Sequence, residues 1–212
     1  MARTDKNFGE RKAEIVQAAT QAFVKNGYEG TSNRLIAEEM KQKGGNFSPQ
    51  LIYHYFESKE ALFTAVMQQA AGLEDVGTHI RASMHLPPEQ FLQVVASIYM
   101  NLMRDRVIAS LFQINLTEGF KKPEITQLVA HVIVSAFVIP TNDYLYAMME
   151  QGKLRRCHTG VILTQFFGTM TSLMLPIVRE SQRITPNEPL HRDQFIKEMI
   201  SNLLFGLSPD RK

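Results

Sequence analysis

The stretch GGNFSPQLIYHYFESKEALF, residues 44–63, decides the fold, because it holds two helix starts and four consecutive ring-bearing side chains. Ser48 is a favourable N-cap residue. Pro49 after it suits the first helical position, where its missing N–H costs no hydrogen bond. Ser58 is a second N-cap residue. The stretch therefore predicts a short helix at about Pro49–Phe56 and another helix immediately after it.

The ring-bearing side chains at residues 53–56 exceed what a two-turn core helix needs. At helical spacing, Ile52, Tyr55 and Phe56 lie at i, i+3 and i+4 and are predicted to pack inward. A one-residue rotation of the helix would exchange the roles of His54 and Tyr55. One face is predicted to hold the helix in place while the other meets a ligand; the plainer alternative is a purely structural aromatic cluster. The residues on the outer face are Gln50, Leu51, Tyr53 and His54.

Two amphipathic segments precede this stretch. In residues 11–26 apolar positions recur at helical spacing, and Gly27 is predicted to end that helix. Thr31 or Ser32 then caps a second helix, which a glycine pair ends. Three short helices with a glycine-containing turn between the last two predict a helix-turn-helix, whose recognition helix enters the DNA major groove. The apolar residues predicted to face inward are Ile15, Ala18, Ala19, Ala22, Phe23, Ile36, Ala37 and Met40.

The outer face of the third helix suits double-stranded DNA. Gln50, near the helix N-terminus, can read a base edge, and Leu51 can touch a thymine methyl group. Tyrosine hydroxyls and histidine suit phosphate oxygens. Lys59, with the N-terminal amides of the fourth helix, offers a further phosphate contact. The candidate DNA-binding residues are Thr31, Ser32, Ser48, Gln50, Leu51, Tyr53, His54, Tyr55 and Lys59.

Beyond residue 72 the helical segments lengthen, and Met, Phe, Leu, Ile and Val dominate. No convincing strand alternation appears. Pro140 is predicted to kink or end the helix that Pro123 opens. We therefore predict an all-α fold: an N-terminal three-helix helix-turn-helix DNA-binding domain at residues 1–68, and a C-terminal helical domain for effector binding and dimerisation at residues 69–212.

The second domain is rich in flexible apolar side chains, which more often build a core than a pocket. The alternative is that they line a cavity for a small apolar or amphipathic effector. The candidate ligand-binding residues are Phe112, Leu116, Phe137, Met148, Phe166 and Met170.

A stripe of small residues, Gly160, Thr164 and Gly168, recurs at i, i+4 and i+8 and would let another helix approach closely. The opposite face of this helix is apolar, which suits contact with its own core. The last helix is similar and contributes Met199 and Leu203. We predict that these two helices pair with their symmetry mates in the four-helix interface of a homodimer. The alternative is two ordinary core helices in a monomer.

Composition and charge exclude several classes of protein. The 212 residues are 44% hydrophobic and 21% charged, and a net charge of +2 is too small for a chain coated in basic charge. Cys157 is the only cysteine, so neither an intrachain disulfide nor a thiolate metal cluster is available. The N-terminus lacks an apolar signal core, and polar residues interrupt the uncharged segment 157–178, so we predict a cytoplasmic protein outside the membrane. No arrangement of catalytic residues stands out, and we predict no enzyme activity, no cofactor and no metal.

The runs AFVKNGYEGTS at residues 22–32, LIAEEM at 35–40 and SPQLIYHYFESKEALF at 48–63 resemble the DNA-binding domain of tetracycline-repressor-like (TetR) transcriptional regulators. The resemblance covers about residues 11–68. It implies a cytoplasmic homodimer, with a C-terminal effector domain that alters the spacing of two DNA-reading heads. The resulting hypothesis is a repressor that a small effector releases from a palindromic operator. The motif residues that carry the resemblance are Gly27-Tyr28, Thr31-Ser32, Ile36-Ala37, Tyr53, Tyr55-Phe56 and Lys59-Glu60.

Two positions depart from the family pattern. The segment Lys41–Phe47 is longer than the usual turn, so either the second helix extends through Lys43 or a loop supplies Lys41 and Lys43 as extra phosphate contacts. Asn33 stands where the family usually carries an aliphatic residue. Two other functions stay open: a helical carrier of lipids or small molecules that retains the helix-turn-helix shape, and a transcriptional activator of the same fold.

Overall fold

The computed structural model of the chain is helical, and no strand occurs among the residues that it describes, namely 8–42, 44, 48–71, 73–119, 123–173, 175, 178 and 191–208. The predicted all-α fold class is therefore confirmed. The helices in chain order are α1 (Phe8–Gly30), α2 (Asn33–Gln42), α3 (Pro49–Tyr55), α4 (Lys59–Ala71), α5 (Leu73–Ala82), a 3₁₀ turn (Ser83–His85), α6 (Pro88–Leu102), α7 (Arg106–Glu118), α8 (Pro123–Ile133), a π-helical segment (Val134–Val138), α9 (Ile139–Glu150), α10 (Thr159–Ser172) and α11 (Arg192–Gly206).

Local signals set most of the helix ends in the N-terminal region. Gly27 has φ +70°, a backbone conformation that L side chains rarely adopt, and it breaks the regular helix of α1 where the sequence predicts. The Ser32 and Ser58 hydroxyls accept capping hydrogen bonds from backbone N–H groups, at 3.4 Å and 3.1 Å respectively. Ser48 occupies the N-cap position of α3, with Pro49 after it, but its side chain makes no capping hydrogen bond.

The chain divides into two compact units. The helix-turn-helix unit comprises residues 1–73 and 102–133. In it α1 packs against α2, α4 and α7. Every α1 and α2 residue predicted to face inward is buried, and Leu111 and Ile114 of α7 join the same core cluster. This unit is larger than the domain predicted at residues 1–68, because it also includes residues 102–133.

The C-terminal unit comprises residues 74–101 and 134–212. In this unit α10 packs against α9 and α11. Tyr99, Phe137 and Phe167 meet ring to ring, with centroids 5.4–6.2 Å apart. The Tyr99 hydroxyl also lies 2.6 Å from the hydroxyl of Thr171, which ties α6 to α10.

A π-helical turn, Val134–Val138, ends two residues before Pro140. Proline cannot donate the backbone hydrogen bond that a continuing α-helix needs, and π-turns are one way that helices accommodate such interruptions. The Thr141 hydroxyl, buried beside it, donates to the carbonyl of Phe137 at 2.7 Å. The predicted disturbance at Pro140 is therefore local, since helix α9 runs on from Ile139.

Tyr144 provides a test of packing in the C-terminal unit. Its ring stacks on Phe91 with centroids 3.7 Å apart, and its hydroxyl donates to the carbonyl of Leu86 at 2.7 Å. Burial raises the pKa of Tyr144 to about 12. Because this value is above the pKa of about 10 of an unfolded tyrosine, the neutral form stabilises the fold below pH 10, and this contribution is lost as the pH rises to about 12.

We expect Tyr144→Phe to lower the free energy of unfolding by about 1 kcal/mol at neutral pH, because the Leu86 carbonyl loses its donor. The variant should also lose less stability than the parent between pH 10 and 12, since it has one titrating hydroxyl fewer. Urea unfolding across this pH range measures both effects. Tyr146→Phe is the control, because Tyr146 is 61% exposed. An unchanged alkaline loss in Tyr144→Phe would contradict the assignment.

Candidate nucleic-acid interface

Helix α3 has the two faces that its sequence predicts. Ile52 is 1% exposed and Phe56, the residue that follows the helix, is 5% exposed, whereas Tyr53 is 67% exposed. Gln50 and His54 are also exposed, and Leu51 is 37% exposed. The helix is anchored by its apolar side and presents its polar side and Tyr53 to solvent.

A one-residue rotation of α3 would exchange the positions of Tyr55 and His54, and the structure shows which of the two side chains packs inward. Tyr55 is partly buried, packs against the core cluster and stacks on Phe8 of α1 with centroids 4.6 Å apart. His54 is exposed and meets Tyr55 only edge-on. Tyr55 is therefore a packing residue in this conformation, and the DNA contacts of Tyr55 and His54 stay predictions.

Thr31 is also directed toward the protein interior. Its side chain is 2% exposed, and its hydroxyl lies 3.1 Å from the carbonyl oxygen of Ala22 and 2.7 Å from that of Gly27. These contacts close the irregular end of α1, where backbone carbonyls lack helical partners. The Thr31 side chain thus serves the fold, and the exposed Ser32 beside it caps α2.

A surface depression of about 180 Å³ brings several candidates together. Ser32 and Tyr53 line it, with Lys59 at the start of α4. The N-termini of α2 and α4 both border this depression, through their capping residues Ser32 and Ser58. A helix N-terminus carries partial positive charge, so two of them beside a lysine favour a phosphate group.

Lys59 is held by its neighbours in a defined direction. Its Nζ atom lies 4.6 Å from the ring centroid of Tyr28 and donates to the carbonyl of Glu29 at 3.4 Å. The Tyr28 hydroxyl in turn donates to Oε1 of Glu60 at 2.8 Å. Residues of α1 and α4 thus cooperate at the edge of the depression.

The cations around this surface differ in their pairing. Lys25 and Arg34 form ion pairs with Glu39 and Glu38, at 2.6 Å and 3.1 Å. Lys12 lies 5.3 Å from the ring centroid of Phe56, and Lys41 is exposed at the end of α2. The prediction that Lys43 contacts phosphate, and the extent of the long turn, lie outside the described residues.

The two polar residues that line the depression and are absent from the site residues predicted from the sequence are Asn33 and Ser58. In the sequence Asn33 stands out only as a departure from the family pattern, and Ser58 only as a helix cap. The signal that could have found Asn33 is its position, because the first residue after the cap of α2 shares the surface of the helix N-terminus.

The candidate effector residues divide between the two units. Phe137, Met148, Phe166 and Met170 are buried in the C-terminal unit, whereas Phe112 and Leu116 belong to the helix-turn-helix unit. Phe112 is buried and Leu116 partly buried. The sequence predicts all six residues in the C-terminal domain, whereas the structure places two of them in the helix-turn-helix unit.

A groove of about 770 Å³ runs between α10 and α11. Phe166, Met199 and Leu203 line it, as do the exposed residues Val161, Arg155 and His158. Of the predicted interface residues, Met199 and Leu203 thus lie together, and both are half-buried.

The small residues of α10, Gly160, Thr164 and Gly168, have different surroundings. A Cβ atom at Gly168 would meet no other atom within 4 Å, so the surface at this position is open. Thr164, one turn earlier on α10, is also exposed. A Cβ at Gly160 would lie 2.9 Å from the His158 ring, whose Nδ1 accepts the Gly160 N–H at 3.1 Å. Gly160 therefore makes room for the capping histidine.

No helix among the described residues has the length and apolar character needed to cross a membrane. Within the same residues, no cluster of three or more His, Cys, Asp or Glu side chains is arranged to hold a metal ion.

Comparisons with known proteins agree with this geometry. The chain matches a family model of bacterial regulatory proteins of the tetR family at residues 15–66. A second model, the C-terminal domain of AefR-like transcriptional repressors, matches residues 90–191. None of the curated proteins matches the chain.

Similar solved structures extend over nearly the whole chain. The fatty acid degradation regulator FadR from Bacillus halodurans is 20% identical with a TM-score of 0.70, covering 95% of this chain and 98% of that one. FadR from Bacillus subtilis in complex with stearoyl-CoA is 18% identical with a TM-score of 0.70, covering 92% and 98%. Salmonella enterica GusR is 18% identical with a TM-score of 0.71, covering 96% and 100%.

The structural matches establish the fold. The two family models together span more than half of the chain, and the first coincides with the helices that carry the candidate DNA surface. The chain therefore belongs to the tetR family of bacterial regulatory proteins and is a helix-turn-helix transcriptional regulator.

Proposed function

We propose that this regulator is a homodimeric repressor, which binds a palindromic operator and is released by a small apolar or amphipathic effector. The observation that carries the DNA-binding part is the depression at the N-termini of α2 and α4, where Ser32, Tyr53 and Lys59 meet. Phosphates bound there would fix the register of α3 on the duplex, and the exposed Gln50 would read a base edge. The match to a repressor family model supports the repressor role.

We expect Gln50→Ala to change sequence preference more than overall affinity. A side-chain amide that pairs with a base edge discriminates against the wrong base by about 1–3 kcal/mol, whereas phosphate contacts carry no sequence information. Binding to a set of duplexes that vary at each operator position measures the preference. Gln17→Ala is the matched control, because Gln17 is exposed on α1. An identical preference profile in Gln50→Ala would refute the assignment.

The homodimer is supported by the groove between α10 and α11. Val161 and Phe205 are exposed large apolar residues, 57% and 64% accessible in the single chain. Val161 lines the groove together with Met199 and Leu203. Exposed apolar faces of this kind mark interaction sites, and a two-fold axis would bury the same patch on both copies. The open surface at Gly168 would admit a neighbouring helix.

The effector class is supported by two observations. The C-terminal unit buries Phe137, Met148, Phe166 and Met170, and methionine side chains adapt readily to an apolar ligand. FadR from Bacillus subtilis, which shares the fold, binds stearoyl-CoA, an amphipathic molecule. The effector would favour a conformation whose two α3 helices no longer match the operator, by an amount set by its differential affinity for the two states.

Transcription with purified components tests this function. A promoter that carries a binding site for this protein, found by selection from random duplex DNA, is transcribed with the regulator alone and with added long-chain acyl-CoA or free fatty acid. We expect the regulator to reduce transcript and an effective ligand to restore it. An increase in transcript on adding the regulator would identify an activator instead. Transcript unchanged at saturating regulator would contradict repression.

A further inference from the structure

The Tyr28 side chain, near the end of α1, is buried and has contacts on several sides. It is 2% exposed, and its hydroxyl donates to Oε1 of Glu60 at 2.8 Å. Its ring stacks on Phe23 with centroids 5.7 Å apart and meets Phe63 edge-on at 5.2 Å. With a neighbour on each side and a tether at its tip, the ring has essentially one orientation.

Lys59 lies over this ring. Its Nζ atom is 4.6 Å from the ring centroid, within the range where the negative face of an aromatic ring attracts a cation. The same atom donates to the carbonyl of Glu29 at 3.4 Å. Lys59 also lines the depression between α2 and α4, so the ring holds the ammonium beside the surface that faces DNA in the proposed complex.

We propose that Tyr28 is a positioning residue for DNA binding, which acts by holding Lys59 in its phosphate-binding direction before DNA arrives. This inference rests on the proposed function, because it requires that Lys59 contacts phosphate. A long flexible side chain loses rotamer entropy when a ligand fixes it, and this cost lowers affinity. Because Tyr28 already restricts the Lys59 side chain in the folded protein, less rotamer entropy is lost when DNA binds. Because Tyr28 is only 2% exposed, its proposed effect on DNA binding is indirect.

The sharpest test weakens the negative face of the ring without changing its shape. Tyr28→Phe keeps the ring and should retain DNA affinity to within about twofold. Phenylalanines with increasing fluorine substitution, incorporated at position 28, reduce the attraction for a cation in steps. The series is made in the parent protein and again with Lys59→Ala. Duplex affinity is measured at one salt concentration, and thermal stability is measured in parallel.

With Lys59 present, we expect affinity to fall by about three- to tenfold from phenylalanine to the most fluorinated ring. With Lys59→Ala, the same series should leave affinity unchanged. Losses of stability would be equal in both backgrounds, so they do not mimic this pattern. An equal loss of affinity in both backgrounds would overturn the positioning role and make Tyr28 purely structural.

A flat series in the parent protein would likewise overturn the inference. Failure of the proposed DNA contact has a different signature, because Lys59→Ala alone would then leave affinity and its salt dependence unchanged. That result would remove the positioning role as well, since Lys59 would have no phosphate to meet.

Discussion

Replacing Val161 by glutamate is expected to dissociate the proposed homodimer, raising its dissociation constant by about a hundredfold or more. Val161 lines the groove between α10 and α11 and is exposed in the single chain, so an isolated copy should tolerate the change. In the dimer, two carboxylates would enter a desolvated face without partners, at a cost of about 3–5 kcal/mol. Sedimentation at micromolar concentration measures the oligomeric state.

Operator binding should weaken along with dimerisation. Two linked DNA-reading heads gain about 10²- to 10⁴-fold in affinity over one, and a monomer loses that gain. Ser201→Glu is the matched control, because Ser201 is exposed on α11 and is not among the residues that line the groove. A folded Val161→Glu protein that sediments as the parent dimer would contradict the proposed interface.

Lys59→Ala is expected to have the second large effect, weakening DNA binding by about tenfold or more on every sequence. A charge-assisted contact to phosphate is lost at each of the two heads. Because each neutralised phosphate releases counterions, the slope of log affinity against log salt should fall by about one per head. Affinity is measured at several salt concentrations on operator and on unrelated duplexes.

Lys197→Ala removes the same charge from an exposed position on α11 and serves as the control. It should leave the salt slope unchanged, which separates a local contact from a general change in net charge. If Lys59→Ala binds with the parent's affinity and slope, Lys59 does not contact phosphate, and the depression between α2 and α4 loses its assigned role.

The parts of the fold that sequence predicts correctly are those set by neighbours along the chain. The burial of Ile52 follows from helical spacing, and the break at Gly27 follows from its freedom to adopt positive φ. Phe56 is buried as predicted, although it lies just past the end of α3 with an extended backbone. The Ser58 cap is equally local. The outward position of Tyr53 therefore follows from the periodicity of the sequence.

Contacts between residues that are distant in sequence are not visible in local patterns. Leu111 and Ile114 of α7 enter the core of the helix-turn-helix unit, and no local pattern reveals that partnership. Phe112 and Leu116 belong to that unit for the same reason. A boundary drawn from motif length alone could not include a later helix.

Two side chains at the candidate site show how tertiary structure changes a local interpretation. Thr31 stands beside Ser32 in sequence, and either could cap α2, but the irregular end of α1 takes the Thr31 hydroxyl inward. Tyr55 meets Phe8, a residue outside the resembling segment, and the stacking selects one of the two rotations of α3.

Selection of bound duplexes from a random DNA pool, by the purified protein at a stated salt concentration, tests the DNA-binding function most directly. We expect an enriched palindrome whose half-sites lie about one helical turn or somewhat more apart, roughly 34–36 Å for one turn, because two symmetry-related α3 helices would read successive major grooves. Salt-sensitive binding without an enriched sequence, or no binding, would contradict a specific dimeric regulator and favour a carrier of small molecules.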